Sequence, residues 1–529
     1  MLPAIIKVCL WDKDEVNDLA EVAESGRQIA ASFTKEVKSI EEFGKRTLPI
    51  IKLAIDKGFI KRPTGEGLKI YKGGTSSSRG SSRAFCRDSC WYGIVAESTR
   101  AGRSGESPED PGPNAVCGFA TVQRQVSSEP NAESRSTSVV PEALPEEPPD
   151  FVVAQRLSRK TGDVTFVEVR GTANTNEEKS YDFVIKCGKK SSQLRDMMPI
   201  RNVFENEIYF YNEILPVFKE FQAEKGITDP FDNTPKCYDS IIEEEMEVLI
   251  LGNMKTSGYC LHNRLHPMNK EHIRKVIKVY GKFHAISFAL RDQKPEVFKK
   301  LGGKLTDIMK LMTKYIKPIE GANNYQDIIK IAKEKKEDDV VTKLNILNER
   351  AKRNNELTDP SDPYAVILHG DCWNNNFMFK YADSNKTKLS DVCFLDFQIS
   401  RLASPVYDLS YFLFTCLSED DIPNFDEIVN VYYESLSEFL RKLGSDPDKM
   451  FPFEELQKQW KRFSLFGLTM LPAIIKICLS DSDEVNDLAE VAESGRQITD
   501  AFTKAVKSTE EFGKRTLPII KLAINKGFM

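Results

Sequence analysis

Apolar and polar residues follow two different rhythms, and the change falls near residue 200. From Phe151 onward, short runs rich in Val, Ile, Phe and Tyr (FVVAQRL, DVTFVEVRG, SYDFVIKCG) are separated by polar turns, as expected of antiparallel strands. Beyond Ile200 the apolar spacing lengthens to three and four, through VFENEIYFYNEILPVFKEF and HIRKVIKVYGKFHAISFAL, which predicts long amphipathic helices. A compact strand and loop stretch at 366–397 interrupts them. The order predicts an α+β chain, with a small antiparallel β lobe over 149–255 and a large helical lobe over 256–529.

The helical rhythm also occurs at the other end of the chain. Residues 1–60 and 470–529 align without a gap and differ at only ten positions. Both copies carry DEVNDLAEVAESGRQI and TLPIIKLAI, ending on a Lys-Gly pair that suits a helix C-cap. The first copy therefore reads as an orphan of the C-terminal helical module, left by duplication or by the joining of neighbouring genes. Residues 61–148, with KGGTSSSRGSSR near the start and VVPEALPEEPPD at the end, show no apolar period and read as a disordered low-complexity linker. Deleting residues 1–148 is thus expected to leave activity and the thermal unfolding midpoint unchanged. Loss of either would make that region an integral domain.

Composition narrows the classes. The 74 Lys and Arg against 79 Asp and Glu give a net charge of -5, which argues against a nucleic-acid partner. Eleven cysteines are scattered without a CxxC pair, and five histidines accompany them, so reduced thiols in a cytosolic protein are expected rather than a zinc site. No run reaches the ~18 apolar residues of a membrane span. The expected form is a cytoplasmic monomer.

The chemistry concentrates in VILHGDCWNNNFMF, where an apolar strand leads to His369, Gly370 and Asp371, with Asn376 five residues after the aspartate. A carboxylate can orient an acceptor hydroxyl and take its proton, and an Asn oxygen can coordinate a Mg²⁺ held by phosphates. The bland alternative is a turn rich in Asn. Twenty residues on, VCFLDFQISRLASPVYDLSYFLF delivers Asp396 at a strand end and then Asp408. Asp396 supplies the second carboxylate that a Mg²⁺ site needs, although alone it reads as an ordinary strand-end charge.

HGDxWxxN, then DFQ, then SPxxDLxYFL resembles the ecdysteroid kinase-like family, relatives of choline kinases and aminoglycoside phosphotransferases, over roughly residues 150–529. The resemblance implies a protein-kinase-like two-lobed fold and an ATP-dependent, Mg²⁺-requiring kinase that phosphorylates an alcohol, with an ecdysteroid among the candidate acceptors. It implies Asp371 as catalytic base, His369 as a catalytic-loop brace, Asn376 and Asp396 as metal ligands and Asp408 as a structural anchor. Lys186 in DFVIKCG and Glu207 in FENEIYFY resemble the strand lysine and helix glutamate that hold the nucleotide phosphates. Taken singly, each reads as a solvated charge.

Gly252, Asn253 and Met254 in EVLILGNMKTSGY fall where backbone groups would meet the adenine, although relatives carry an acidic pair at the first two. His284 fits a buried helix histidine satisfied by hydrogen bonds. The helical stretch at 299–362 is expected to shape the acceptor pocket. Upstream of Lys186 only Gly162 and Gly171 occur after Phe151, with no close pair to let backbone amides approach a phosphate. The β lobe thus reads as incomplete at its first strands. Two rival functions remain: a pseudokinase or binding protein, and a choline- or ethanolamine-type kinase.

Overall fold

The structure is a computed structural model, and it describes residues 5–10, 68–74, 91–96, 151–158, 162–172, 178–315, 325–353, 362–480, 488–495 and 508–529. The chain divides into two compact units, one of residues 1–155 and 167–181, the other of residues 156–166 and 182–529.

In the first unit, strand Ile5–Leu10 runs parallel to Leu68–Gly74, and Trp91–Ala96 pairs antiparallel with both. Trp91–Ala96 also pairs with the start of strand Phe151–Ser158. Two strands thus lie inside 61–148, where the sequence reading expected none. LKIYKGG and WYGIVA are short β-branched and aromatic runs that the surrounding Ser, Gly and Pro hide from a composition argument. The rest of 61–148, and residues 11–60 of the first helical copy, lie outside the described residues.

In the second unit, the end of strand Glu178–Gly188 pairs antiparallel with Met246–Gly252, which in turn pairs with Cys237–Glu243. Helix Ile200–Tyr209 follows the first of these strands and runs through a π-helical turn, Phe210–Ile214, into helix Leu215–Glu224. A three-stranded sheet of Tyr259–Leu261, Phe377–Tyr381 and Leu389–Phe394 and a short ladder of Val366–Ile367 with Leu402–Ala403 frame the central loops. Helices Lys270–Gln293 and Phe425–Lys442 pack along each other, as do Val406–Cys416 and Leu465–Leu479. These four helices bury Phe283, Phe288, Phe412, Phe439 and Phe466, each contributing roughly 1.5–3 kcal/mol of transfer free energy. No single described helix is long and apolar enough to cross a membrane.

The C-terminal module is locked on by two arginines. Arg264 donates to the carbonyls of Ile477, Cys478 and Ser480, capping helix Leu465–Leu479 with a cation where its last carbonyls lack intrahelical amide partners. Arg515, on helix Thr509–Asn525, donates to the Thr415 carbonyl 2.9 Å away, near the end of helix Val406–Cys416. Leu471, Ile474, Ile475, Cys478, Phe512, Arg515 and Ile520 are buried, and each has an identical counterpart in the first copy. Where the copies differ at described positions, at Ile477, Ser480, Thr509, Asn525 and Met529, the side chain is partly or fully exposed. Yet IIKVCL is strand at 5–10 while IIKICL is helix at 474–479. Tertiary surroundings, not local sequence, decide that segment.

Candidate active site

Lys186 stands on strand Glu178–Gly188, opposite Leu249 of its neighbour. Its ammonium donates to both Glu207 oxygens, at 2.8 and 2.6 Å, and to Asp396 Oδ1 at 2.8 Å. Burial alone would lower the lysine's pKa, but the charges and hydrogen bonds of Asp396 and Glu207 outweigh it and raise the value. Glu207 reaches the lysine because Phe204 and Ile208 bury the inner face of its helix. Removing one partner of so buried a cluster strands the other charges. Lys186→Met and Glu207→Gln should therefore each lower activity, with the double variant losing less than the two effects combined. Strict additivity in that cycle would make them independent groups.

Asp396 adopts φ +72°, a left-handed conformation that aspartate tolerates better than most residues. Phe397 fixes the turn from the other side. Its ring stacks on Phe210 at 3.7 Å between centroids and lies 4.5 Å from the His369 ring. Glu207 and Asp396 are thus tied twice, through Lys186 and through the two phenylalanines.

The loop carrying Asp371 depends on Gly370. At φ +89° it turns where an added Cβ would meet the Ile399 carbonyl oxygen at 2.3 Å, so no side chain fits. Asp408, fully buried, accepts from the backbone amides of His369 at 2.8 Å and Gly370 at 2.9 Å, and from His284 Nε2 at 3.2 Å. Asp371 is held at both oxygens, Oδ2 by Asn376 Nδ2 at 2.8 Å and Oδ1 by the Tyr411 hydroxyl at 3.1 Å. Burial, and then the negative charge of Asp396, push its carboxyl up to about 6. Such a group can accept a proton near neutral pH.

Lys186, Glu207 and Asp396 thus form one cluster, with Asp371 held on its own loop by Asn376 and Tyr411. The model of the family described as ecdysteroid kinase-like matches residues 161–445, more than half of the chain. The chain belongs to the ecdysteroid kinase-like family. No curated protein matches it. Membership makes this ecdysteroid kinase-like protein a kinase-like phosphotransferase at the coarse level, and the mixed helix and sheet of the structure agrees with that fold.

In this ecdysteroid kinase-like chain, Lys186, Glu207, Asp371, Asn376 and Asp396 form one connected set of polar contacts and charges. His369 stands behind them. Its Nδ1 accepts from the Asp371 amide at 3.2 Å and its Nε2 meets the Leu395 carbonyl at 2.8 Å, so both nitrogens bind backbone and the ring braces the loop. The amides of Gly252 and Asn253 are likewise taken, by the Lys236 and Asp182 carbonyls. A ligand along that stretch would have to meet carbonyl oxygens or Met254. His284 is satisfied as expected, between Tyr432 and Asp408.

Asn376 uses its amide nitrogen on Asp371, so any part in holding a cation falls to its oxygen. An Asp oxygen, an Asn oxygen and an excess of buried carboxylate suit a hard cation such as Mg²⁺. Among the described residues there is no group of three or more His, Cys, Asp or Glu that could hold a metal by itself. A Mg²⁺ that keeps phosphate and water ligands does not need one. Two site residues escaped the sequence reading. Tyr411 had a readable signal, since it follows Asp408 by three residues and shares its helix face; Asn206, discussed below, had none.

Proposed function

We propose that the chain transfers the γ-phosphoryl group of ATP, with Mg²⁺, to a hydroxyl of a lipophilic alcohol, a steroid such as an ecdysteroid being one candidate. What supports this most is the convergence of Asp371 with the Lys186, Glu207 and Asp396 cluster: three carboxylates come from separate stretches of chain, two of them share Lys186, and Asp371 lies near enough to feel the charge of Asp396. On this reading Lys186, oriented by Glu207, meets the α and β phosphates. Asp396 and the Asn376 oxygen hold Mg²⁺, which when bound neutralises charge on the phosphate oxygens. Asp371 orients the acceptor hydroxyl and takes its proton as the new O–P bond forms and the bond from Pγ to the β,γ-bridging oxygen breaks, that oxygen leaving with ADP.

One observation favours a second reading, a pseudokinase that keeps the fold without turnover: the stretch from 151 to 186 has no close pair of glycines to cover a phosphate. Calorimetry with Mg·ATP separates the two, since micromolar to millimolar binding is expected of the kinase. A panel of steroid and other lipophilic alcohols, followed with ATP labelled at the γ position, then tests the acceptor class. Binding without transfer to any alcohol would move the assignment to the pseudokinase.

A further inference from the structure

Asn206 sits beside Glu207 on helix Ile200–Tyr209 and is 2 % exposed, yet it faces away from the nucleotide cluster toward two distant loops. Its Nδ2 donates to the Thr306 carbonyl at 2.8 Å and to the Ser400 carbonyl at 3.2 Å. Its Oδ1 accepts from the Thr306 amide at 2.9 Å. One side chain thus joins three pieces: the helix that carries Glu207, the turn that enters helix Ile308–Tyr315, and the segment four residues past Asp396. A neutral amide is the group that can do this, because the site needs two donors and one acceptor at a single branch point.

The junction is stiff for further reasons. Tyr209, one turn along the same helix, donates to the Leu301 carbonyl at 3.3 Å, so the helix grips the 301–306 turn twice. That turn is pressed against the Asp396 segment, since a Cβ on Gly302 would come within 2.3 Å of Leu402 Cδ1. Ser400 continues inward, its hydroxyl donating to the His369 carbonyl at 3.4 Å and its amide to the Phe397 carbonyl at 3.2 Å.

We infer that Asn206 is a positioning residue that couples the helical stretch after residue 299 to the Glu207, Lys186 and Asp396 cluster, so that the two sides move together. The part of this that concerns nucleotide affinity rests on the ATP reading above. Asn206→Ala removes both donors and the acceptor, releasing Glu207's helix from the Asp396 segment while leaving every group of the cluster in place.

Two measurements on the full chain test it. In calorimetry with Mg²⁺ and β,γ-imido-ATP, Asn206→Ala should bind at least tenfold more weakly than wild type. Val431→Ala, which trims a buried side chain of helix Phe425–Lys442 outside the cluster, should bind normally even where it lowers the unfolding midpoint as much. Asn206→Asp keeps the acceptor but turns the donor toward two carbonyls into a carboxylate, and it should be no better than Ala. Affinity within twofold of wild type in Asn206→Ala, or an equal loss in Val431→Ala, overturns the coupling. Hydrogen exchange needs no nucleotide: Asn206→Ala should speed exchange at least tenfold both around Thr306 and across residues 395–402. Acceleration confined to Thr306 overturns the inference. Should wild type fail to bind the nucleotide analogue, the ATP reading falls, and the exchange result alone decides the role of Asn206.

Discussion

Asp371→Asn should cut phosphoryl transfer by about 10³-fold, the usual scale for loss of a positioned base, and leave Mg·ATP affinity within about threefold of wild type. The amide keeps the shape that Asn376 and Tyr411 grip but cannot take a proton. Turnover within about tenfold of wild type would remove Asp371 from the chemistry. Asp396→Ala should fail in the opposite manner, weakening Mg²⁺-dependent nucleotide binding itself, because it takes away the proposed Mg²⁺ ligand and one of the two carboxylates on Lys186. If calorimetry finds the two variants alike, the division of roles is wrong. The free chain's Asp371 carboxyl is pushed up to about 6 and must be ionised to act, so kcat/KM should fall as pH drops through that value.

Asp408→Ala should bring the largest loss of stability, about 3–5 kcal/mol, as expected when one member of a buried polar cluster is deleted. The backbone amides of His369 and Gly370 and the His284 ring would lose their shared acceptor inside a dry core. The measurement is chemical or thermal unfolding of the full chain, and a loss below about 1 kcal/mol would make the carboxylate a spectator. Burial pushes Asp408 up, but the hydrogen bond and charge of His284 outweigh it and hold the carboxyl below its usual range. A depressed carboxyl stabilises the fold above its unfolded pKa of roughly 3.9, and that contribution is lost as pH falls through the lower folded value. The deficit of Asp408→Ala should accordingly shrink in strong acid.

The parts of the site that could be read from sequence are those whose chemistry demands a residue type at a fixed short spacing. Asp371 and Asn376 lie within one loop, and Asp396 follows at the end of the next strand, so hydrophobic runs on either side located them. Lys186 and Glu207 stood out only by their resemblance to a family pattern, since each alone reads as a solvated charge; the structure brings them together as an ion pair. Asn206 was not, since its partners are 100 and 194 residues away and any buried asparagine looks alike in sequence. The π-helical turn at Phe210–Ile214 was equally hidden, because one extra residue in a helix barely disturbs an apolar period. Local pattern misled most at 5–10, where a sequence that is helical near the other end of the chain lies in a sheet.

Lys186 pairs with both Glu207 and Asp396, with Asp371 close enough to feel Asp396's charge. With all three carboxylates ionised, these four groups together present a net negative charge to anything approaching them. Free polyphosphate, itself highly anionic, is repelled by that field, whereas a divalent ion or a polyphosphate already carrying one meets less resistance. Order of arrival follows from electrostatics: encounter should favour the metal-bound nucleotide over the free one. Added monovalent salt should narrow the difference between them, since it screens the field on the outer approach more than close to the buried charges.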